Sequence, residues 1–389
     1  MKNGHERKSS VRVVHVTTVH HPFDPRIFYK QLASLRDAGF DAHLIAPHER
    51  SERVNGIPIH ALPIPSSRGA RLALQPKVFR MAGALDAALY QIHDPELLPL
   101  AFLLKRTIGA RVVYDMHENY RSKGALLGRG LRALERWAFR WVDHVLLAEE
   151  SYRSIVDGHA VPHTYIANYF RPIGGEDPVD AVEISETPTR LLYTGTLSDS
   201  RGLRTMVDLA AQIRRADRPE TLDLVGVCHR DHQRIQVEEQ VRSEGLGAVL
   251  ERTGWDTYVR PSAMPPHYCR ADVGLALCEP HPNHMGSLLT KFYEYLHYGL
   301  PIICSDFPRW RRFVEQHECG AVVPPGEPGA VLDVLDAWQA HPERYRECAE
   351  NARAAAPQYR WETMGERLVN LYRRLLNDSS LKEPVTGSR

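Results

Sequence analysis

The stretch 288–306, LLTKFYEYLHYGLPIICSD, gathers more chemistry than any other in the chain. A polar turn leads into a helix carrying Lys291 and Glu294 one turn apart, and Gly299-Leu300-Pro301 stops that helix before a buried strand. The helix start at Leu288, Leu289 and Thr290 offers backbone N–H groups and a positive dipole end, which together suit a diphosphate. Glu294 is an acceptor only and suits ribose hydroxyls, the task of an acidic residue in dinucleotide-binding folds. The structural alternative makes Lys291 and Glu294 a surface i,i+3 ion pair on a helix packed through Phe292, Tyr295 and Leu296.

Other candidates follow apolar runs. His117 comes directly after VVYDM, flanked by Asp115 and Glu118, where an imidazole could face a ligand; a satisfied histidine at a strand end is the alternative in a chain with 20 histidines. His93 ends ALYQIH and Asp94 follows it; both suit a ligand contact or, for Asp94, a structural cap. In TTVHHPFDPRIF (17–28), Asp24 reads as an N-cap and Pro25 as the first helical residue. His281-x-x-His284 lacks a nearby third ligand, so no metal is expected.

These residues need strands and helices to hold them. Apolar, β-branched runs at 11–16, 41–46, 88–93, 111–116 and 143–148 alternate with amphipathic stretches, the first of them a helix at 25–38. The alternation restarts at 190–195, 221–226, 249–254, 272–277 and 301–306, and this pattern predicts two parallel, doubly wound sheets. A chain of 389 residues exceeds one ordinary core. The expected layout is a disordered 1–10, an N-terminal domain 11–172, a Pro-, Gly- and acid-rich linker 173–189, a C-terminal domain 190–356, an amphipathic closing helix within 357–377 and a frayed tail 378–389. Doubly wound sheets bind ligands at the carboxyl ends of their strands, which is where the candidates fall.

Composition narrows the function. Lys+Arg is 49 against 48 for Asp+Glu, so the +1 balance gives no reason to expect nucleic acid. The six cysteines all lie in the second half without C-x-x-C spacing and read as reduced thiols. The opening MKNGHERKSS has no apolar core of a signal peptide, and no run of about 18 apolar residues occurs. The expected location is cytoplasmic.

The pattern K-F-Y-E-Y-L-x-x-G-L-P-I-I-x-S-D at 291–306 resembles the donor-binding signature of glycosyltransferase family 4. Segments 90–99, 112–120, 193–203 and 359–376 resemble further stretches of that family in the right order, so the likeness covers nearly the whole chain. It implies an α/β chain of the GT-B fold: two Rossmann-like domains, a central cleft and a C-terminal helix crossing back to the N-domain. It also implies retaining transfer from a nucleoside-diphosphate sugar without metal or other cofactor, the helix dipole and basic side chains doing a metal's work.

By the same likeness, Gly195, Thr196 and Arg201 belong to the diphosphate segment, with Arg201 matching one of two clamping basic residues and Thr196 standing where the other is expected. Trp255 falls where the family contacts the base, and would stack on it or close the core. His117 matches the histidine beside the transferred sugar. His20, His21 and Phe23 replace loop glycines on the acceptor side, together with His93 and Asp94. Eight residues before Glu294 stands Gly286, so the family's first glutamate is missing; Asn283, His284 and Glu279 are the candidates to replace it.

Residues 121–140 place Arg129, Arg132, Arg136 and Arg140 on one helical face and Leu127, Leu131, Leu134, Ala138 and Trp141 on the other. That is an ordinary amphipathic helix or a face for anionic lipid at the inner membrane. The resulting expectation is a glycosyltransferase of cell-envelope or polysaccharide synthesis acting on a glycan, a lipid-linked saccharide or a small molecule. The rival readings are a GT-B-like nucleotide-sugar epimerase and a non-catalytic nucleotide-binding subunit.

Overall fold

The computed structural model describes residues 10–117, 125–173 and 187–377. Glu118, residues 121–124 of the basic segment, residues 174–186 of the expected linker and the tail from 378 lie outside the described residues. The chain divides into two compact units, one of residues 1–171 with 361–389 and one of 172–360.

The first unit holds an eight-stranded sheet. Its strands are β1 (Arg12–Val16), β2 (Asp41–Pro47), β3 (Glu52–Val54), β4 (Ile57–Leu62), β5 (Leu89–Ile92), β6 (Arg111–Met116), β7 (His144–Leu147) and β8 (His163–Tyr165), in the spatial order β3-β4-β2-β1-β5-β6-β7-β8. All neighbours are parallel except β3 and β4. The five expected strands are present. β3, β4 and β8 escaped the apolar-run criterion because they are short or only partly buried. The predicted helix 25–38 opens as a π-helix over Pro25–Leu32 and continues as an α-helix over Ala33–Asp37. Asp24 caps it as expected, its carboxylate accepting from the amides of Arg26 and Ile27.

β1 pairs with β2 on one side and β5 on the other, so connections leave it in opposite directions. A crevice forms at such a switch point, outside the strand ends, and here the segments after β1 and β5 border it. The helix Trp361–Asn377 packs on this unit: it buries Trp361, Met364, Leu368, Leu371, Tyr372 and Leu375 against Val13, Ile27, Leu32 and Leu44. It starts at Trp361 because Ala356–Tyr359 form a separate 3-10 turn. Trp361 Nε1 donates to Ser34 Oγ at 2.8 Å, and Gly365 lets the helix approach that serine closely.

The second unit holds a six-stranded, all-parallel sheet. β9 (Arg190–Thr194), β10 (Thr221–Val225), β11 (Leu250–Thr253), β12 (Val273–Ala276), β13 (Ile302–Ser305) and β14 (Gly320–Val323) run in the order β11-β10-β9-β12-β13-β14. The edge strand β14 was not anticipated, being four residues long and mostly half-buried. The switch point lies between β9 and β12, which the loops 195–202 and 277–289 follow. Gly202, at φ 81°, is required there, since a Cβ would stand 1.7 Å from the Leu277 carbonyl oxygen. Helix Thr290–His297 is fixed on the sheet by Tyr295, whose hydroxyl lies 3.1 Å from the carbonyls of Leu192 and Leu275.

Candidate active site

In the second unit, the expected donor residues gather at the switch point. Gly195 (φ 113°) and Thr196 turn the chain out of β9, and the Thr196 carbonyl accepts from the Tyr193 hydroxyl at 2.8 Å. Arg201 closes the 3-10 turn Asp199–Arg201. Its charge reaches the Tyr193 phenol, the Cys278 thiol, His284 and Lys291, so two further basic side chains lie near it. The N-cap residue of helix Thr290–His297 is Leu289, whose side chain cannot cap it, and Leu288 and Leu289 lead into the helix half-buried.

Lys291 is not the surface ion-pair partner of Glu294. It is 4% exposed, and its Nζ has no hydrogen-bond partner among the described residues; it sits 3.3 Å from the centre of the Tyr193 ring. Burial lowers its pKa to about 7; Cys278 opposes the shift and Arg201 adds to it. Glu294 instead accepts from the buried Tyr268 hydroxyl at 2.6 Å, and that contact orients its carboxylate.

Trp255 packs partly against the core while its indole N–H donates to Glu238 at 2.9 Å, so its edge is anchored. At Gly286 the carbonyl accepts from Arg309 at 2.6 Å and that of Ser287 accepts from Trp310 at 2.7 Å, which holds the loop before the helix. Of the residues that could replace the missing glutamate, Glu279 accepts from Thr205 at 3.2 Å. His284 is buried, which lowers its pKa to about 4, with Arg201 adding to the effect. The Asn283 side chain lies outside the described residues.

In the first unit, His117 is held at the end of β6 rather than left loose. Its Nε2 lies 3.0 Å from Asp115 Oδ2 and 2.9 Å from His93 Nδ1, and its ring lies tilted against that of His20 with centroids 4.8 Å apart. Asp115 is fully buried, yet the Arg26 guanidinium, bound to both its oxygens at 2.7 and 3.1 Å, together with His117 holds its carboxyl well below the usual range. Asp24 is lowered in the same way: burial opposes ionisation, but His20 outweighs it.

Several acceptor-side expectations need correction. Phe23 is 6% exposed and belongs to the core, packed edge-on against Phe28. Asp94 is buried and binds the loop after β1, accepting from the Thr18 amide at 2.5 Å and from the hydroxyls of Thr17 and Thr18. A carboxylate so engaged is a structural fastener. His93 is buried behind His117 and cannot meet an acceptor directly. His20 is half-buried and His21 exposed, so these two keep access to solvent. The arginine face of the helix Ala125–Ala138 exposes Arg129 and Arg136, with Arg140 exposed just beyond it, while Glu135 is buried against the Tyr114 hydroxyl.

His93, Asp115 and His117 each offer a ligand atom, and these atoms lie within 4.8 Å of one another, a spacing that could hold a metal ion. Arg26 already neutralises the carboxylate, which weakens the set for a cation.

Residues 25–168 match the family described as glycosyl transferase 4-like domain, and residues 188–338 match the family described as glycosyl transferases group 1. The chain belongs to the GT-B glycosyltransferases of family 4 type. It is thus an enzyme of the hexosyltransferase class. A phosphatidyl-myo-inositol mannosyltransferase of Mycobacterium leprae is 23% identical over 335 residues, covering 82% of this chain and 83% of that protein. Among solved structures, sucrose-phosphate synthase from Thermosynechococcus elongatus superposes with a TM-score of 0.75 at 17% identity over 95% of this chain and 100% of its own. Anabaena HepE, solved with UDP and glucose, gives 0.70 at 15% identity over 93% and 99%. These likenesses establish the GT-B fold.

The glycosyltransferase contains polar neighbours of His117 that motif reading missed: Arg26, Gln31, Gln91, His15 and Tyr372, all buried around Asp115 and His117. The signal was present in the strands. His15 in β1, Gln91 in β5 and Asp115 in β6 each interrupt an apolar run near its carboxyl end, and His15 and Gln91 are register partners. A buried polar residue demands a partner, and three in adjacent strands demand one another.

Proposed function

We propose that this glycosyltransferase moves a hexosyl unit from a nucleoside-diphosphate sugar to an acceptor with retention of anomeric configuration. The observation that carries the reading is the buried, unbonded Lys291 amine beside Arg201 at a helix start whose N-cap residue is Leu289. A cation kept out of water without an anion is costly unless a ligand supplies one, and a diphosphate supplies two. Gly195, Thr196, Leu288, Leu289 and Thr290 would contribute backbone contacts, Glu294 the ribose contact and Trp255 the base contact. His117 would stand beside the reacting sugar, with His20 and His21 on the acceptor side.

Neither metal nor other cofactor is required, because the developing diphosphate charge would meet Arg201, Lys291 and the helix dipole. HepE's structure with UDP and glucose supports the donor class, and the mycobacterial relative's name supports a lipid-borne acceptor. The exposed arginines of the helix Ala125–Ala138 fit contact with the cytoplasmic membrane surface. Among the described residues no helix is long and apolar enough to cross a membrane.

Thermal unfolding with UDP, GDP, ADP and their sugars tests the donor, since a ligand of the native state raises apparent stability by mass action. Arg201→Ala should lose more affinity for the nucleoside diphosphate than for the nucleoside; equal losses would make the arginine merely structural. An NMR time course showing inverted product would refute retention.

A further inference from the structure

The hydrogen bonds around Asp115 form a closed circuit whose direction is forced, because a carboxylate can only accept. Gln31 Nε2 donates to Asp115 Oδ2 at 2.7 Å, which turns Gln31 Oε1 toward Gln91 Nε2 at 2.8 Å. Gln91 Oε1 then accepts from the Tyr372 hydroxyl at 2.6 Å. That uses the phenol's one proton, so its oxygen accepts from His15 Nε2 at 3.0 Å. His15 Nδ1 is left with a lone pair and accepts from His93 Nε2 at 3.0 Å. His93 Nδ1 accepts in turn from His117 Nε2 at 2.9 Å, and the same N–H faces Asp115 Oδ2 at 3.0 Å. The approaches of Gln91 Nε2 to His93 Nε2 and of His93 Nδ1 to Asp115 Oδ2, each 3.4 Å, are too long to compete with the contacts of 2.6–3.0 Å.

Reversing any histidine sets two lone pairs or two protons against each other. Burial also keeps the inner histidines neutral, lowering His93 to about 4 and His15 well below its ordinary value. His117 Nδ1 is the one nitrogen of the three rings that has no hydrogen bond among the described residues.

We infer that Tyr372, His15 and His93 are positioning residues for His117: with Asp115 they hold its proton on Nε2 and present Nδ1 to the ligand. Tyr372 comes from the helix Trp361–Asn377, so the last helix of the chain sets the tautomer of a residue at the end of β6. The inference rests on the role proposed for His117.

The test is nitrogen NMR of the full chain labelled with 15N-histidine, with His117→Gln used to identify the His117 signals. The wild type should show His117 protonated on Nε2 alone. Tyr372→Phe removes one O–H and leaves the ring in the core; it should mix the two tautomers of His117. It should also lower kcat roughly tenfold, the scale for losing a group that orients a functional side chain. Here kcat is read as diphosphate release from whichever UDP-, GDP- or ADP-sugar raises the melting temperature, and donor affinity should stay within about twofold, since the circuit does not bind the donor.

Wild-type His117 protonated on Nδ1 would overturn the inference, as would tautomers unchanged in both Tyr372→Phe and His15→Gln. One equivalent of metal in the purified protein would overturn it too, because the ion would replace the Nε2 proton. So would a mixed tautomer with undiminished turnover in a protein that His117→Ala inactivates. If His117→Ala itself turns over normally, the role of His117 fails while the circuit, read by NMR, stands.

Discussion

Lys291 should make donor binding a proton-coupled event. Without ligand its amine has a pKa of about 7, against 10.5 in water, because burial outweighs the favourable charge of Glu294 and its Nζ has no hydrogen-bond partner among the described residues. At pH 8 only about a tenth of the molecules carry the charge, and a diphosphate at contact distance draws it back, so binding should take up about 0.9 proton. Above pH 7 the donor Kd should weaken with a slope that approaches about tenfold per pH unit, which is about 50-fold between pH 7 and 9. A nucleotide sugar has both phosphates esterified, so its diphosphate does not itself titrate there.

Stability carries the matching sign. The folded value lies below the unfolded one, so between pH 7 and 10.5 the unfolded chain holds the extra proton and stability rises with pH. Below pH 7 the full disadvantage remains, at most about 5 kcal/mol at 1.36 kcal/mol per tenfold. Lys291→Met should therefore raise the melting temperature of the ligand-free protein while weakening donor binding and abolishing proton uptake. Calorimetry in buffers of different ionisation enthalpy measures the uptake. A flat Kd from pH 7 to 9, or equal uptake in the Met variant, would refute the reasoning.

Four further expectations follow from other contacts. His117→Ala should lower kcat by about 10²–10⁴ with little change in donor Kd, whereas normal turnover in a folded variant removes the residue from the chemistry. Glu294→Ala should weaken nucleotide-sugar binding and also lose about 1 kcal/mol of stability, since Tyr268 loses its acceptor; Glu294→Gln, titrated with donor and urea, should restore stability but not full affinity. Gly202→Ala should destabilise by several kcal/mol in urea unfolding, because its Cβ would overlap the Leu277 carbonyl; Gly195→Ala, with nothing within 4 Å, should lose only the backbone strain of about 1–3 kcal/mol. His93 has a folded value of about 4, so the unfolded chain protonates first and stability should fall as pH drops from 6.5 to 4, by about 3 kcal/mol. Urea midpoints across that range check it, and His93→Gln should flatten the dependence.

The predicted strands and the capped helix start at Asp24 were legible because they are local: apolar runs, turn residues and an N-cap depend on near neighbours in the chain. The placing of the candidate donor residues at strand ends and a helix start was legible for a related reason. A diphosphate site needs a strand, a Gly-containing turn and a helix start in sequence, and 193–203 and 288–294 carry those parts contiguously.

What the sequence could not reveal is which polar residues face inward. Lys291 and Glu294 at i,i+3 look like a surface pair, and only the packing of their helix against β9 and β12 buries the amine over Tyr193 and hands the carboxylate to Tyr268. Asp94 and Phe23 likewise lie in a loop-flanking segment whose exposure is decided by the sheet beneath it. The circuit around Asp115 joins residues as far apart as His15 and Tyr372. Composition and periodicity determined two doubly wound sheets and where their ligand ends lie; the tertiary structure alone decided the partner of each buried polar group, because desolvation and hydrogen-bond direction are properties of neighbours in space.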